Sequence, residues 1–170
     1  MPSIYWLSQL FVVIAYIICG IAFLQKKQFK ILILVTIFNL LMLIQFSLLG
    51  AIMGAIANGI NISRNLLFIY NIKIKKENTK IVLYFFLLIT IVLTFVFYSS
   101  PIDLFPCILA LIGTYAYWSN NTKTVRICNL ICSCCYIIYA IPIKSYFTII
   151  AEAYLVLTTI IGYLKHERAS

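Results

Sequence analysis

Seven apolar runs, each near the length of a membrane-crossing helix and parted by short polar links, leave this chain few ways to fold. They are Ile4–Leu24, Lys30–Leu48, Gly50–Tyr70, Lys80–Ser99, Asp103–Ser119, Thr124–Pro142 and Tyr146–Leu164. A hydrocarbon core needs about 20 residues of helix to cross it. Lipid offers no water to backbone groups, so runs of this kind must satisfy their own N–H and C=O groups as helices. A soluble alternative would need a polar shell. With 64% hydrophobic and 10% charged residues and a mean hydropathy of +1.07, the chain cannot supply one. The links are short, so successive helices run antiparallel. The first run starts almost at Met1 without a basic region before it, and reads as a retained helix rather than a signal peptide.

Charge sets an expected orientation. Lys26, Lys27 and Lys30 follow the first run, Lys73, Lys75, Lys76 and Lys80 the third, Lys123 and Arg126 the fifth, and Lys165 and Arg168 the seventh. Lys144 is alone on the opposite side, and Arg64 falls within a run. Basic links stay cytoplasmic, which places the N-terminus outside and the C-terminus inside. This rule accounts for the formal charge of +9. Nucleic-acid binding would need a basic face with stacking aromatics on a folded domain, and these charges are scattered over short links. They suit anionic lipid headgroups instead.

An odd number of helices with this charge pattern predicts three helices, one linker and three more, the linker restoring the direction of the first trio. Residues 1–72 form the expected first repeat, 73–100 the linker and 101–170 the second repeat. A shift of 94 residues aligns Leu10 and Phe11 with Leu104 and Phe105, Ala22 with Ala116, Ile33 with Ile127, and Ile56-Ala57 with Ile150-Ala151. The predicted fold class is therefore an all-α membrane protein of seven transmembrane helices, built as two parallel triple-helix bundles joined by a linker helix. Parallel repeats about an axis along the membrane normal are a transporter plan, with the site near the midplane.

The polar residues inside the runs are the candidates for function. Glu152 lies in the middle of the last run, in a chain with only four acidic residues, and an intramembrane carboxylate marks a functional site by default. It can be held neutral, couple proton movement to transport, or bind a cationic or hydrogen-bonding solute. Neighbouring donors such as Tyr139 on the preceding helix would satisfy it structurally. The shift of 94 pairs Glu152 with Asn58. Asn58, Asn61 and Asn65 follow the i, i+3, i+7 spacing of one helical face. They can line a cavity or hydrogen-bond between helices. Arg64 lies about 9 Å in depth from the level of Asn58 at 1.5 Å per residue. It can snorkel to the cytoplasmic interface, meet a substrate anion, or reach Glu152.

Other features have plainer readings. Gly50 and Gly54 form a small-residue pair suited to close helix packing. Asp103 suits the N-cap of the fifth helix. Pro106 sits in the first turn after it, and Pro142 ends the sixth run. Tyr5, Trp6, Tyr98, Tyr117, Trp118, Tyr146 and Tyr163 fall near helix ends, as an aromatic belt would. Cys128, Cys132, Cys134 and Cys135 cluster in the sixth run, but without the four-ligand spacing of a zinc site they read as packing residues. No metal or cofactor is expected. No phosphate loop, HExxH or nucleophile elbow occurs, so the chain is not read as an enzyme.

Four segments carry a family likeness: YWLSQ at Tyr5–Gln9, FSLLGAIMGAIANGINISRNLL at Phe46–Leu67, SPIDLFPCILALIGTYA at Ser100–Ala116, and TIIAEAYLVLTTIIGYL at Thr148–Leu164. With them the chain resembles the YgjV family of bacterial inner-membrane proteins over nearly its whole length. That family is distantly similar to SWEET, PQ-loop and nicotinamide-riboside-type carriers, and the likeness implies their three-plus-one-plus-three plan. In SWEET-like carriers asparagines on the third and seventh helices flank the substrate. Asn58 resembles the first, while Glu152 replaces the second. No Pro-Gln dipeptide is present.

The expected protein is a multi-pass carrier in the bacterial inner membrane. It would move a small polar metabolite by alternating access through a midplane site of Asn58, Glu152, Asn61, Asn65, Tyr139 and Arg64. Its expected partners are the lipid bilayer, the solute and, in one arrangement, further copies of itself as a homo-oligomer. The alternative is a non-transporting membrane module that binds a lipid, a peptide or a partner subunit.

Overall fold

The structure, a computed structural model, describes residues 2–50, 52–97, 104–140 and 146–166. These residues form seven α-helices and no strand: α1 (Pro2–Phe23), α2 (Gln28–Leu48), α3 (Ile52–Lys73), α4 (Lys80–Val96), α5 (Leu104–Trp118), α6 (Thr122–Ala140) and α7 (Tyr146–His166). Their bounds follow the apolar runs because a segment whose backbone cannot turn to water has helix as its one satisfied state. α1, α2 and α7 contain windows long and apolar enough to cross a membrane, and α4 and α5 are shorter apolar helices. The starts of α2 and α6, Gln28 and Thr122, lie 94 residues apart, as do those of α3 and α7, Ile52 and Tyr146.

The side-chain distribution is the reverse of a soluble protein's. Leu10, Ile17, Leu88, Phe95, Ile138 and Leu157 face outward, while Ser8, Asn39, Gln45, Asn65, Thr114, Ser133 and Thr159 are buried. Such an exterior is stable against acyl chains and not against water. An apolar cluster of Cys19, Ala22, Phe23, Ile31, Val35, Ala116, Val125 and Leu155 fills the end of the bundle nearest the basic links.

Each helix packs on a neighbour in the order α3–α2–α1–α7–α6–α5–α4, and α3 also touches α4 and α5. The seam between α1 and α7 depends on small residues. A Cβ at Gly162 would strike the Phe23 carbonyl, and one at Gly20 would strike the Tyr154 ring. In lipid, where apolar burial gives helices little reason to associate, this close approach is what permits van der Waals contact.

Gly50 does not have the packing role expected of it. Its φ is +70°, and no atom lies within 4 Å of where its Cβ would be. It ends α2, its N–H returning to the Ser47 carbonyl at 3.2 Å. A left-handed residue after a helix end is where glycine is favoured. The side chains of Gly54's turn, Tyr5, Pro106 and Tyr146, and all of Tyr98, Asp103, Pro142, Lys144 and Arg168, lie outside the described residues.

Candidate functional site

α7 presents Ala151, Glu152, Leu155, Thr158, Thr159 and Gly162 to the interior. This is an i, i+3, i+4, i+7 stripe, so one helical face brings the carboxylate inward along with the small and hydroxyl-bearing residues. Glu152 is 5% exposed. The Tyr16 hydroxyl of α1 donates to its Oε1 at 3.2 Å, and the Ser133 side chain of α6 also hydrogen-bonds the carboxyl. Tyr16 is held edge-on against Phe38 with ring centroids 5.7 Å apart. Glu152 therefore has two neutral donors from two different helices. The Tyr139 side chain, the donor expected from sequence, lies outside the described residues.

Arg64 does not snorkel. It is 3% exposed, because α5 supplies it with partners inside the bundle. Nη1 donates to Thr114 Oγ1 at 2.7 Å, while the Thr114 hydroxyl donates onward to the Ala110 carbonyl at 2.8 Å. Nε and Nη2 donate to Asn65 Oδ1 at 3.2 and 3.1 Å. The guanidinium carbon lies 5.3 Å from the centre of the Tyr117 ring, a cation–π contact that strengthens when desolvated. Tyr117 is thus an internal residue and not part of an aromatic belt. Among the described residues Arg64 meets no carboxylate, and it does not pair with Glu152.

The asparagine stripe divides. Asn65 is fully buried and belongs to the Arg64 network, whereas Asn58 and Asn61 are half-buried on α3. α3 packs on α2, α4 and α5, while the donors described at the Glu152 carboxyl come from α1 and α6. Tyr117, Cys19 and Cys132 lie in the electrostatic surroundings of the two charged residues. Both thiols lie within electrostatic reach of Glu152 and of Tyr117, and Tyr117 is within reach of Arg64. No group of three or more His, Cys, Asp or Glu among the described residues has the arrangement of a metal site.

A second set of polar contacts closes the end that carries the basic links. Arg126, expected among the solvent-facing charges, is instead fully buried in the first turns of α6. Its Nε donates to the Phe23 carbonyl at 3.2 Å and its Nη2 to the Gln25 carbonyl. His166 Nε2 donates to the Leu24 carbonyl at 3.0 Å. These carbonyls at the end of α1 have no partner within their own helix, and a cation there also meets the negative end of the helix dipole. On the other side Gln28 Nε2 donates to the Tyr117 carbonyl at 3.0 Å. Trp118 Nε1 donates to the Asn78 carbonyl and Asn78 Nδ2 to the Trp118 carbonyl, both at 3.1 Å. Sequence reading missed Arg126 and Gln28; the signal was their position at the start of α6 and α2, level with the exposed carbonyl ends of α1 and α5.

A groove of about 170 Å³ on the flank between α1 and α7 is lined by Val13, Tyr16, Ile17, Ile150, Ala151 and Tyr154 and is almost wholly apolar. It opens sideways to where lipid would lie.

No curated protein and no solved structure matches the chain. A family model described as a bacterial inner membrane protein, Imp-YgjV, matches residues 6–170. The apolar helices among the seven, the polar interior and this match over nearly the full length agree: the chain is a multi-pass protein of the bacterial inner membrane and belongs to the Imp-YgjV family.

Proposed function

We propose that the chain is a carrier of a small polar metabolite, built as two triple-helix repeats, residues 1–72 and 101–170, around the linker at 73–100. The N-terminus is outside and the C-terminus inside. One observation supports this reading above the others. A buried arginine on α3 and a buried glutamate on α7 each hydrogen-bond neutral groups instead of each other. Charged groups inside a membrane protein are costly and mark substrate or ion pathways. A purely structural pair would be brought together, since an uncompensated buried charge costs several kcal/mol. The ties among Arg126, His166, Gln28, Trp118 and Asn78 are those of a bundle closed at the basic-link end. Movement of one repeat against the other would release them and admit solute from that side.

Uptake into proteoliposomes tests the reading, with nucleosides, vitamins and amino acids as candidate solutes and Glu152→Gln as control. Accumulation of one class that the control lacks supports the carrier. The flank groove favours a second reading, a module that binds a lipid chain between α1 and α7. Failure to take up any compound, with a lipid co-purifying in fixed ratio, would replace the carrier with that module.

A further inference from the structure

We propose that Arg64, Asn65, Thr114 and Tyr117 form an oxyanion site, which takes the carboxylate or phosphate group of a small solute. The inference rests on the carrier reading only in making that solute the transported one. Its basis is a mismatch of donors and acceptors. Arg64 is 3% exposed, and among the described residues its hydrogen bonds to Thr114 and Asn65 leave N–H groups of the guanidinium in hand. Asn65 is fully buried, and its Nδ2 has no acceptor among the described residues. The amide cannot be turned round, because Arg64 can only donate and so fixes the acceptor oxygen on its own side. Two adjacent side chains therefore offer donors and a positive charge to the interior, while the Thr114 and Asn65 oxygens are already engaged. The missing chemistry is negative charge with several acceptor oxygens, which a carboxylate or phosphate supplies in the bidentate form that arginine favours. The Tyr117 ring holds the guanidinium plane from one side. Lysines at 73, 75, 76, 80 and 123 flank the same end of the bundle and would draw anions towards it.

The full-length protein in detergent tests the site. Sodium acetate, sodium succinate and sodium phosphate are titrated against sodium chloride at equal ionic strength, and binding is followed by the unfolding temperature and by tryptophan fluorescence, since Trp118 adjoins Tyr117. A saturable shift with at least one oxyanion, absent with chloride, is expected; the carboxylates and the phosphate distinguish which group is taken. Arg64→Gln should weaken that binding at least about tenfold, the loss of about 1.4 kcal/mol. Asn65→Asp should fold at least as stably as the parent and lose the response, because it gives Arg64 a carboxylate of its own. No response beyond chloride, an unchanged response in Asn65→Asp, or failure of Asn65→Asp to fold overturns the proposal. Anion binding without uptake of any anion would remove the carrier and leave the site. Uptake at an unchanged rate in Asn65→Asp would remove the site and leave the carrier.

Discussion

The carbonyl oxygens of Phe23 and Tyr117, 94 residues apart, are each held by the helix that follows the other. Arg126 of α6 donates to Phe23 at 3.2 Å, and Gln28 of α2 donates to Tyr117 at 3.0 Å. The crossing joins the α1–α2 link to the α5–α6 link. It also uses the same device twice, a side chain at a helix start satisfying the carbonyls that a helix end leaves open.

Unequal costs should follow from the unequal donors. Arg126→Ala leaves the buried Phe23 carbonyl and the part-buried Gln25 carbonyl without a charged donor and should destabilise the bundle by about 3 kcal/mol, against about 1 kcal/mol for Gln28→Ala. Unfolding by denaturant in mixed micelles measures both. Equal and small effects would show that the crossed contacts do not hold the fold together.

Glycine positions supply a matched pair. Gly162→Ala drives a methyl into the Phe23 carbonyl and beside Arg126, with backbone on the receiving side, and should cost about 1–3 kcal/mol. Gly113→Ala meets nothing within 4 Å inside α5 and should be neutral or stabilising by about 1 kcal/mol. Thermal unfolding in detergent separates the two. A tolerated Gly162→Ala would mean that α1 and α7 do not approach as closely as described.

If Glu152 serves transport, its donors matter less than its charge. Glu152→Gln should fold and lower the initial uptake rate at least about tenfold, near 1.4 kcal/mol. Tyr16→Phe removes one neutral hydrogen bond to a carboxylate and should have a smaller effect of the same sign. A Glu152→Gln protein with full uptake would take the carboxylate out of the mechanism.

Orientation can be read from outside. With the native cysteines replaced, Lys76→Cys should react with a membrane-impermeant thiol reagent only in inside-out vesicles, and Lys144→Cys only in right-side-out ones. The reverse pattern would contradict the orientation drawn from the basic links.

Helix number and bounds were legible because the bilayer leaves backbone one solution, and hydropathy reports where that solution applies. The same signal says nothing about which way round a helix is turned or what packs against it. Hydropathy therefore leaves Arg64 free to snorkel, meet a substrate anion or reach Glu152, whereas Thr114 and Tyr117 hold it inside. Arg126 was counted with the loop charges, although it lies four residues into α6 beneath the end of α1. The carboxylate at 152 was recognised as internal, but its described phenol donor is Tyr16, 136 positions away. That contact depends on α7 lying against α1, and nothing local in sequence encodes it. Gly162 and Gly20 went unnoticed for the same reason, since a glycine's role there is defined by what approaches it from another helix.

The central claim is a polar interior reached from each face of the membrane in turn. Single cysteines at positions 58 and 152, in a protein otherwise free of cysteine, can be probed with an impermeant thiol reagent from either side of sealed, oriented vesicles. Labelling at both positions from both sides, with a cross-link between the ends of α1 and α6 abolishing the reaction from the basic-link side alone, is the predicted result. Labelling from neither side, or from one side whatever the cross-link, would contradict the account.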